Sequence, residues 1–156
     1  MMPFSYFVPD YKVKGTIASM DFAVLNQAGI EGVVLDVDNT ITRLGSLELD
    51  DSVTKVVKQI TQEYPCCLLS NYTPLVRRMR EITLDIPIVD TNFKKPLISS
   101  YREACKLLHL KPKNIAMIGN GIITDIFGAN LAGLYTIKVQ PLGYNSKMMK
   151  MIGNII

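Results

Sequence analysis

Apolar residues recur along this chain in two rhythms. Val33-Val34-Leu35, Cys66 to Leu69, Ile86 to Val89, Ile115 to Ile118 and Tyr135 to Val139 are short continuous apolar runs, the mark of strands buried on both faces. Between them the period lengthens. Val53, Val56, Val57 and Ile60 fall at i, i+3, i+4 and i+7, so a helix is expected over about 51–63, stopped by Pro65. Thr73-Pro74 opens another, with proline at its first position. Leu97, Tyr101, Ala104 and Leu108 share one side of a helix opened by Lys94-Lys95-Pro96, and further helices are expected ahead of Gly29 and, after Gly119-Asn120-Gly121, over a stretch containing Thr124 and Asp125 up to Gly133. Strands alternating with helices at this spacing pair in parallel through right-handed crossovers. The fold class is therefore α/β: a three-layer, doubly wound, Rossmann-like and mostly parallel five-stranded sheet. Residues 1–15, with Pro3, Pro9 and four aromatic residues, are expected to form an irregular arm packed on the domain.

The polar residues fall at the ends of the expected strands: Asp36, Asp38 and Thr40; Ser70 and Asn71; Lys94 and Lys95; Asn120, Thr124 and Asp125. In a parallel sheet these tips gather at the carboxyl edge, where open α/β folds bind ligands. Asp36 and Asp38 start out on one face of an extended strand, so their charges crowd unless a cation lies between them. Mg²⁺ is the expected ion, because it takes one or two carboxylates together with water and phosphate oxygens. A carboxylate nucleophile divides phosphate monoester hydrolysis into two easier steps, and a second carboxyl two residues on can serve both as acid and as base. Ser70, a lysine and the ion would meet the charge spreading over the transferred group.

The order of the tips resembles the haloacid dehalogenase superfamily over about residues 33–140, and within it the YqeG-like phosphatases of subfamily IIIA. The likeness is carried by Phe7-Val8-Pro9-Asp10-Tyr11, Leu35-Asp36-Val37-Asp38-Asn39-Thr40, Ser70-Asn71, Lys95-Pro96, Gly119 to Asp125, and Leu134-Tyr135-Thr136-Ile137. Relatives of this kind include a mitochondrial phosphatidylglycerophosphatase. The resemblance implies a Mg²⁺-dependent phosphatase working through an aspartyl-phosphate, with a phosphorylated substrate that extends to a lipid head group. It implies Asp36 as nucleophile, Asp38 as acid/base and Lys95 beside them. Thr40, Ser70 and Asn71 would meet the substrate phosphate, and Asp36, Asp38, Asn120 and Asp125 the metal. One position departs from the family pattern G-D-x-x-x-T-D: here Gly119 is followed by Asn120, whose amide oxygen can ligate Mg²⁺ but brings no charge to hold it. The alternative reading is a catalytically weak binding or regulatory module.

Composition narrows the choice. With 48% hydrophobic and 20% charged residues among 156, and no window near about 18 uninterrupted apolar positions, a spanning helix is not expected. No basic segment followed by an apolar one opens the chain, so the cytoplasm is the expected compartment. Cys66-Cys67 and Cys105 lack metal spacing and are expected as reduced thiols. The net charge of +3 is spread along the chain, which argues against sequence-specific nucleic-acid binding. A Rossmann dehydrogenase is excluded because no G-x-G-x-x-G follows the first strand. The short intervals from Asp36 to Ser70 and from Ser70 to Lys95 leave no room for a large cap domain, so one domain over 1–156 is expected. Its last segment, about 146–156, is rich in Met and Lys; a terminal helix there would suit peripheral contact with an anionic membrane.

Overall fold

The computed structural model describes residues 3–143. Five strands, β1 (Tyr11–Lys12), β2 (Gly32–Leu35), β3 (Cys66–Leu68), β4 (Ile115–Gly119) and β5 (Tyr135–Lys138), pair in parallel in the order β1-β5-β4-β2-β3. The helices are α1 (Ala23–Gln27), α2 (Asp51–Glu63), α3 (Pro74–Leu84), α4 (Ile98–Leu108) and α5 (Gly128–Ala132). Side chains alternate across the sheet and divide the core. Val33, Leu35, Ile118 and Ile137 pack with Val53, Val57 and Ile60 of α2, while Val34, Cys67 and Met117 pack with Tyr101, Ala104 and Ala129 on the other face. Three layers result, as the alternation of elements predicts. Among the described residues no helix is long and apolar enough to cross a membrane.

The chain runs outward from β2 to β3 and then returns to β4 on the opposite side of β2. The crevice beyond the carboxyl ends of β2 and β4 is therefore the point where strand order reverses, the usual ligand position of such sheets. Leu35 lies opposite Ile118, so Asp36 and Asn120 leave neighbouring strands at nearly the same height.

Four expected elements differ. Ile86 to Val89 is no strand: it touches the sheet by a single bridge from Ile88 to Leu68, because Pro87 has no N–H with which to extend a ladder. The fifth strand comes instead from the expected irregular arm, where Tyr11 and Lys12 pair with Ile137 and Lys138. Asp10 secures that edge by accepting the Thr136 N–H at 2.8 Å. The helix expected from Lys94 starts at Ile98, leaving Leu97 exposed at its cap. The stretch 124–133 enters as a π-helical turn, Ile122–Phe127, before α5 begins. The helix expected over 146–156 lies outside the described residues.

The π turn and α4 meet at Gly128. A Cβ there would lie 2.7 Å from Tyr101 Cε2 and 2.8 Å from Pro96 Cα, the residue beside Lys95. Alanine at a helical glycine gains about 1 kcal/mol of propensity, whereas overpacking costs about 1–3 kcal/mol, and here one obstacle is main chain. Gly128→Ala is expected to lower the urea midpoint; an unchanged or higher midpoint would show that Pro96 can yield.

Candidate active site

β2 ends at Leu35, and Asp36 follows with its N–H donating to the Ile118 carbonyl at 3.0 Å. The backbone of the candidate nucleophile is thus tied to the neighbouring strand. Its carboxylate is buried, and Lys95 Nζ donates to Asp36 Oδ1 at 2.8 Å and to Asp125 Oδ1 at 2.8 Å. Lys95 is itself only 5% exposed, so the three charges share one desolvated space. Burial pushes the Asp36 carboxyl up to about 7; Lys95 works against this, and the nearby Asp125 adds to it. Burial alone would lower the Lys95 ammonium, but the two carboxylates outweigh it and hold the group well above its ordinary range.

Short-range contacts position these groups. The Asn71 side chain accepts the Lys95 N–H at 2.7 Å and donates to the Lys95 carbonyl at 3.0 Å, bracing the lysine's loop by its main chain. Asp125 sits on the π turn, an element frequent at functional sites, and its Oδ2 accepts the Gly121 N–H at 2.9 Å. A Cβ at Gly119 would collide with the Asp125 carboxyl, which explains why the strand must end in glycine.

Asp38 lies past the strand end, and its charge is met separately. Arg80 of α3 grips it through both oxygens, Nη1 to Oδ2 and Nη2 to Oδ1, each at 2.7 Å. Nη1 also donates to Ser70 Oγ at 3.3 Å, and the guanidinium lies 4.1 Å from the Tyr72 ring centre. The expected crowding of Asp36 and Asp38 is thereby relieved by two cations of the protein, Lys95 and Arg80. Arg80 escaped the sequence reading. The available signal was an arginine pair, Arg77 and Arg80, three positions apart among apolar residues; both turn inward while Leu75, Met79 and Ile82 face out.

Thr40 Oγ1 lies 2.8 Å from Asp36 Oδ2 and 3.0 Å from Asn120 Oδ1. A hydroxyl has one proton for these two acceptors. With its amide turned about, Asn120 donates to the Asp38 carbonyl and Asp36 Oδ2 at 3.2 Å each and to Thr40 Oγ1 at 3.0 Å. With its oxygen inward, it joins a set of oxygens from Asp36, the Asp38 main chain and Thr40 in which the Thr40 hydroxyl supplies the one proton. Such a set suits a hard cation. Three or more His, Cys, Asp or Glu side chains arranged for a metal are absent among the described residues, since Asp38 is engaged by Arg80 and position 120 is an amide. The residues fit Mg²⁺ through a main-chain carbonyl and an amide oxygen in place of carboxylates. Asp36, Asp38, Thr40, Ser70, Lys95, Asn120 and Asp125 thus converge, while both ends of the Asn71 amide are spent on the Lys95 backbone. The thiols stand outside this chemistry: burial pushes Cys66 up to about 12 and Cys67 higher still.

The model of a family described as mitochondrial PGP phosphatase matches residues 1–141. The chain is 24% identical over 138 residues to a Bacillus subtilis protein named "Probable phosphatase YqeG", covering 88% of this chain and 79% of that one. It is 28% identical over 136 residues to the chloroplastic phosphatidylglycerophosphate phosphatase 1 of Chlamydomonas reinhardtii, covering 81% of this chain but only 50% of the algal protein. Among solved structures, an uncharacterized protein from Listeria monocytogenes serotype 4b superimposes with a TM-score of 0.60 at 18% identity, over 71% of this chain and 79% of that one. The magnesium-bound HAD-hydrolase YfnB of Bacillus subtilis gives 0.53 at 18% identity, over 70% and 57%. These last two likenesses speak for the fold alone.

The raised Asp36 carboxyl has a thermodynamic signature. Its ordinary value is 3.8 and its folded value about 7, so between these the folded protein binds more protons than the unfolded chain. Stability should therefore fall as pH rises from about 4 to about 7. The thermal midpoint of metal-free protein is expected to drop across that window, and Asp36→Asn to flatten the drop; parallel profiles for the two proteins would place the titration elsewhere.

Proposed function

The chain belongs to the mitochondrial PGP phosphatase family and is a phosphatase of the haloacid dehalogenase superfamily, and from that premise we propose that it hydrolyses a phosphate monoester through an aspartyl-phosphate on Asp36. The reading takes Mg²⁺ as cofactor, the described unit as a single haloacid-dehalogenase-like domain, and a lipid head group of the phosphatidylglycerophosphate kind as substrate. The observation that carries it is the buried Asp36 carboxylate at the strand-order reversal, aimed by Thr40 and neutralised by Lys95.

In the first step an Asp36 oxygen forms a bond to phosphorus while the bond to the ester oxygen breaks. Asp38 gives its proton to the departing alkoxide and then takes one from the water that attacks the aspartyl-phosphate, which releases inorganic phosphate and restores Asp36. For this Asp38 must loosen from Arg80, and the freed guanidinium N–H groups stand beside Ser70, where a phosphate oxygen can accept them. Lys95 holds Asp36 in line and offsets negative charge as the transferred group arrives. Bound Mg²⁺, held by Asp36, the Asp38 carbonyl, Asn120 and Asp125, would add positive charge against the equatorial oxygens. The segments between the strand tips are taken up by α2 and α3 and their short connections, so the mouth stays open to a bulky ester.

A second reading, a weakly catalytic binding or regulatory module, draws support from Asn120. Turned about, its amide satisfies the oxygen set without an ion, something an aspartate could not do.

Asp36→Asn is expected to abolish phosphatase turnover while circular dichroism stays native; wild-type activity in that variant would remove the mechanism. Asn120→Asp should lower the Mg²⁺ concentration giving half-maximal rate, by about tenfold for each 1.4 kcal/mol gained, with a smaller effect on the maximal rate. Unchanged half-saturation would put residue 120 outside the metal shell, and no turnover in either protein would favour the second reading.

A further inference from the structure

α3 is amphipathic with the wrong side out. Arg77 and Arg80 are buried, whereas Leu75 is 70% and Ile82 73% exposed, with Met79 between them on the same outward stripe. An apolar stripe in water costs free energy unless something covers it. It does not stand alone. Phe93 and Leu97 are exposed on either side of the buried Lys95, and Ile123 is exposed between Asn120 and Asp125. Among the described residues, Phe4, Val8 and Leu107 are the large exposed apolar side chains placed elsewhere. The apolar surface thus gathers on the three segments that leave the catalytic edge.

These segments are joined to one another. Asn71 binds the Lys95 main chain from both ends, and Lys95 binds Asp125, so the tips after β3, before α4 and after β4 form one rim. Residues 71–82, 91–98 and 120–124 include five basic residues and one acidic, Glu81. Of these, Arg78 and Lys94 are exposed, beside Met79 and Phe93. Apolar side chains on several separate tips, with cations between them, match an interface that is hydrocarbon below and anionic phosphate above. A protein partner would call for a continuous complementary surface instead.

We propose that this rim, α3 together with the tips around Lys95 and Asn120, seats the enzyme on an anionic phospholipid surface, with the catalytic mouth turned toward the head groups. The proposal deepens and rests on the lipid-ester reading given above, and it assigns the contact to described residues rather than to the terminal segment. Leu75, Met79, Ile82 and Phe93 would enter the interface, and Arg78 and Lys94 would meet lipid phosphates at its surface.

The test is co-sedimentation of the full chain with phosphatidylcholine vesicles, with and without phosphatidylglycerol, which carries no phosphate monoester. Wild type should bind the anionic vesicles at least tenfold more strongly than the neutral ones. Leu75→Ser/Ile82→Ser, and independently Phe93→Ser, should weaken that binding at least tenfold while leaving turnover of a soluble aryl phosphate unchanged. The two variants alter different segments, so misfolding of one leaves the other decisive. Equal binding by wild type and both variants overturns the proposal, as does binding lost only on removing residues 144–156. A wild type that is dimeric by light scattering and becomes monomeric in the variants, without a change in vesicle binding, also overturns it and gives the stripe to a second copy. Detergent-dispersed phosphatidylglycerophosphate separates the two readings. If it is not hydrolysed while vesicle binding still depends on the rim, the lipid-ester reading fails and the docking surface stands; if it is hydrolysed while vesicle binding ignores the rim, only the docking surface fails.

Discussion

The site depends on one ammonium group shared by two buried carboxylates. Lys95 Nζ lies 2.8 Å from Asp36 and 2.8 Å from Asp125, and all three side chains are nearly out of water. Without the lysine, two like charges would face each other where water could not screen them, and at least one carboxyl would have to take up a proton. Burying such a triad is not an economical way to make a protein stable, since apolar residues of similar volume often do as well or better. Its retention is explained by what it holds ready: a carboxyl group that is positioned, paired with an ammonium and raised by burial to about 7. The bracing from Asn71, the π turn under Asp125 and the glycine at the end of β4 all act to keep these three groups in register.

Arg80 does for Asp38 what Lys95 does for Asp36, but with a different geometry. A guanidinium that binds both oxygens of a carboxylate fixes its orientation as well as its charge. Keeping Arg77 and Arg80 inside while Leu75 and Ile82 remain in water runs against the ordinary sorting of side chains. The helix is turned by the demands of the site. The same rotation that brings a cation to Asp38 leaves an apolar stripe outside, so the polar interior and the greasy exterior of α3 are two results of a single choice.

Much of this was legible in the sequence, because the signals were local and repeated. The α2 stripe Val53, Val56, Val57 and Ile60 gave a helix with the observed bounds of Asp51–Glu63, and four of the five strands appeared as apolar runs. The convergence of Asp36, Ser70 and Asn120 followed from parallel topology, which brings every strand's carboxyl end to one edge, whereas Lys95 reaches it from a loop held by Asn71. What escaped were features decided by tertiary contact. Tyr11 and Lys12 make too short a strand to show a period, and pair only because β5 offers a free edge. Ile86 to Val89 has strand-like residues, yet Pro87 cannot supply the ladder. Arg80 looked like one more surface charge on a helix, since its pairing with Arg77 three positions away acquires meaning only once α3 is seen to face inward there.

The brace from Asn71 acts on position 95 through its amide hydrogen and carbonyl, groups that nearly every residue possesses. The placement of that loop is therefore independent of the ammonium it carries. Scaffold and reagent are written in different parts of the same residue: its main chain carries the position of the loop, and its side chain carries the charge balance of the crevice.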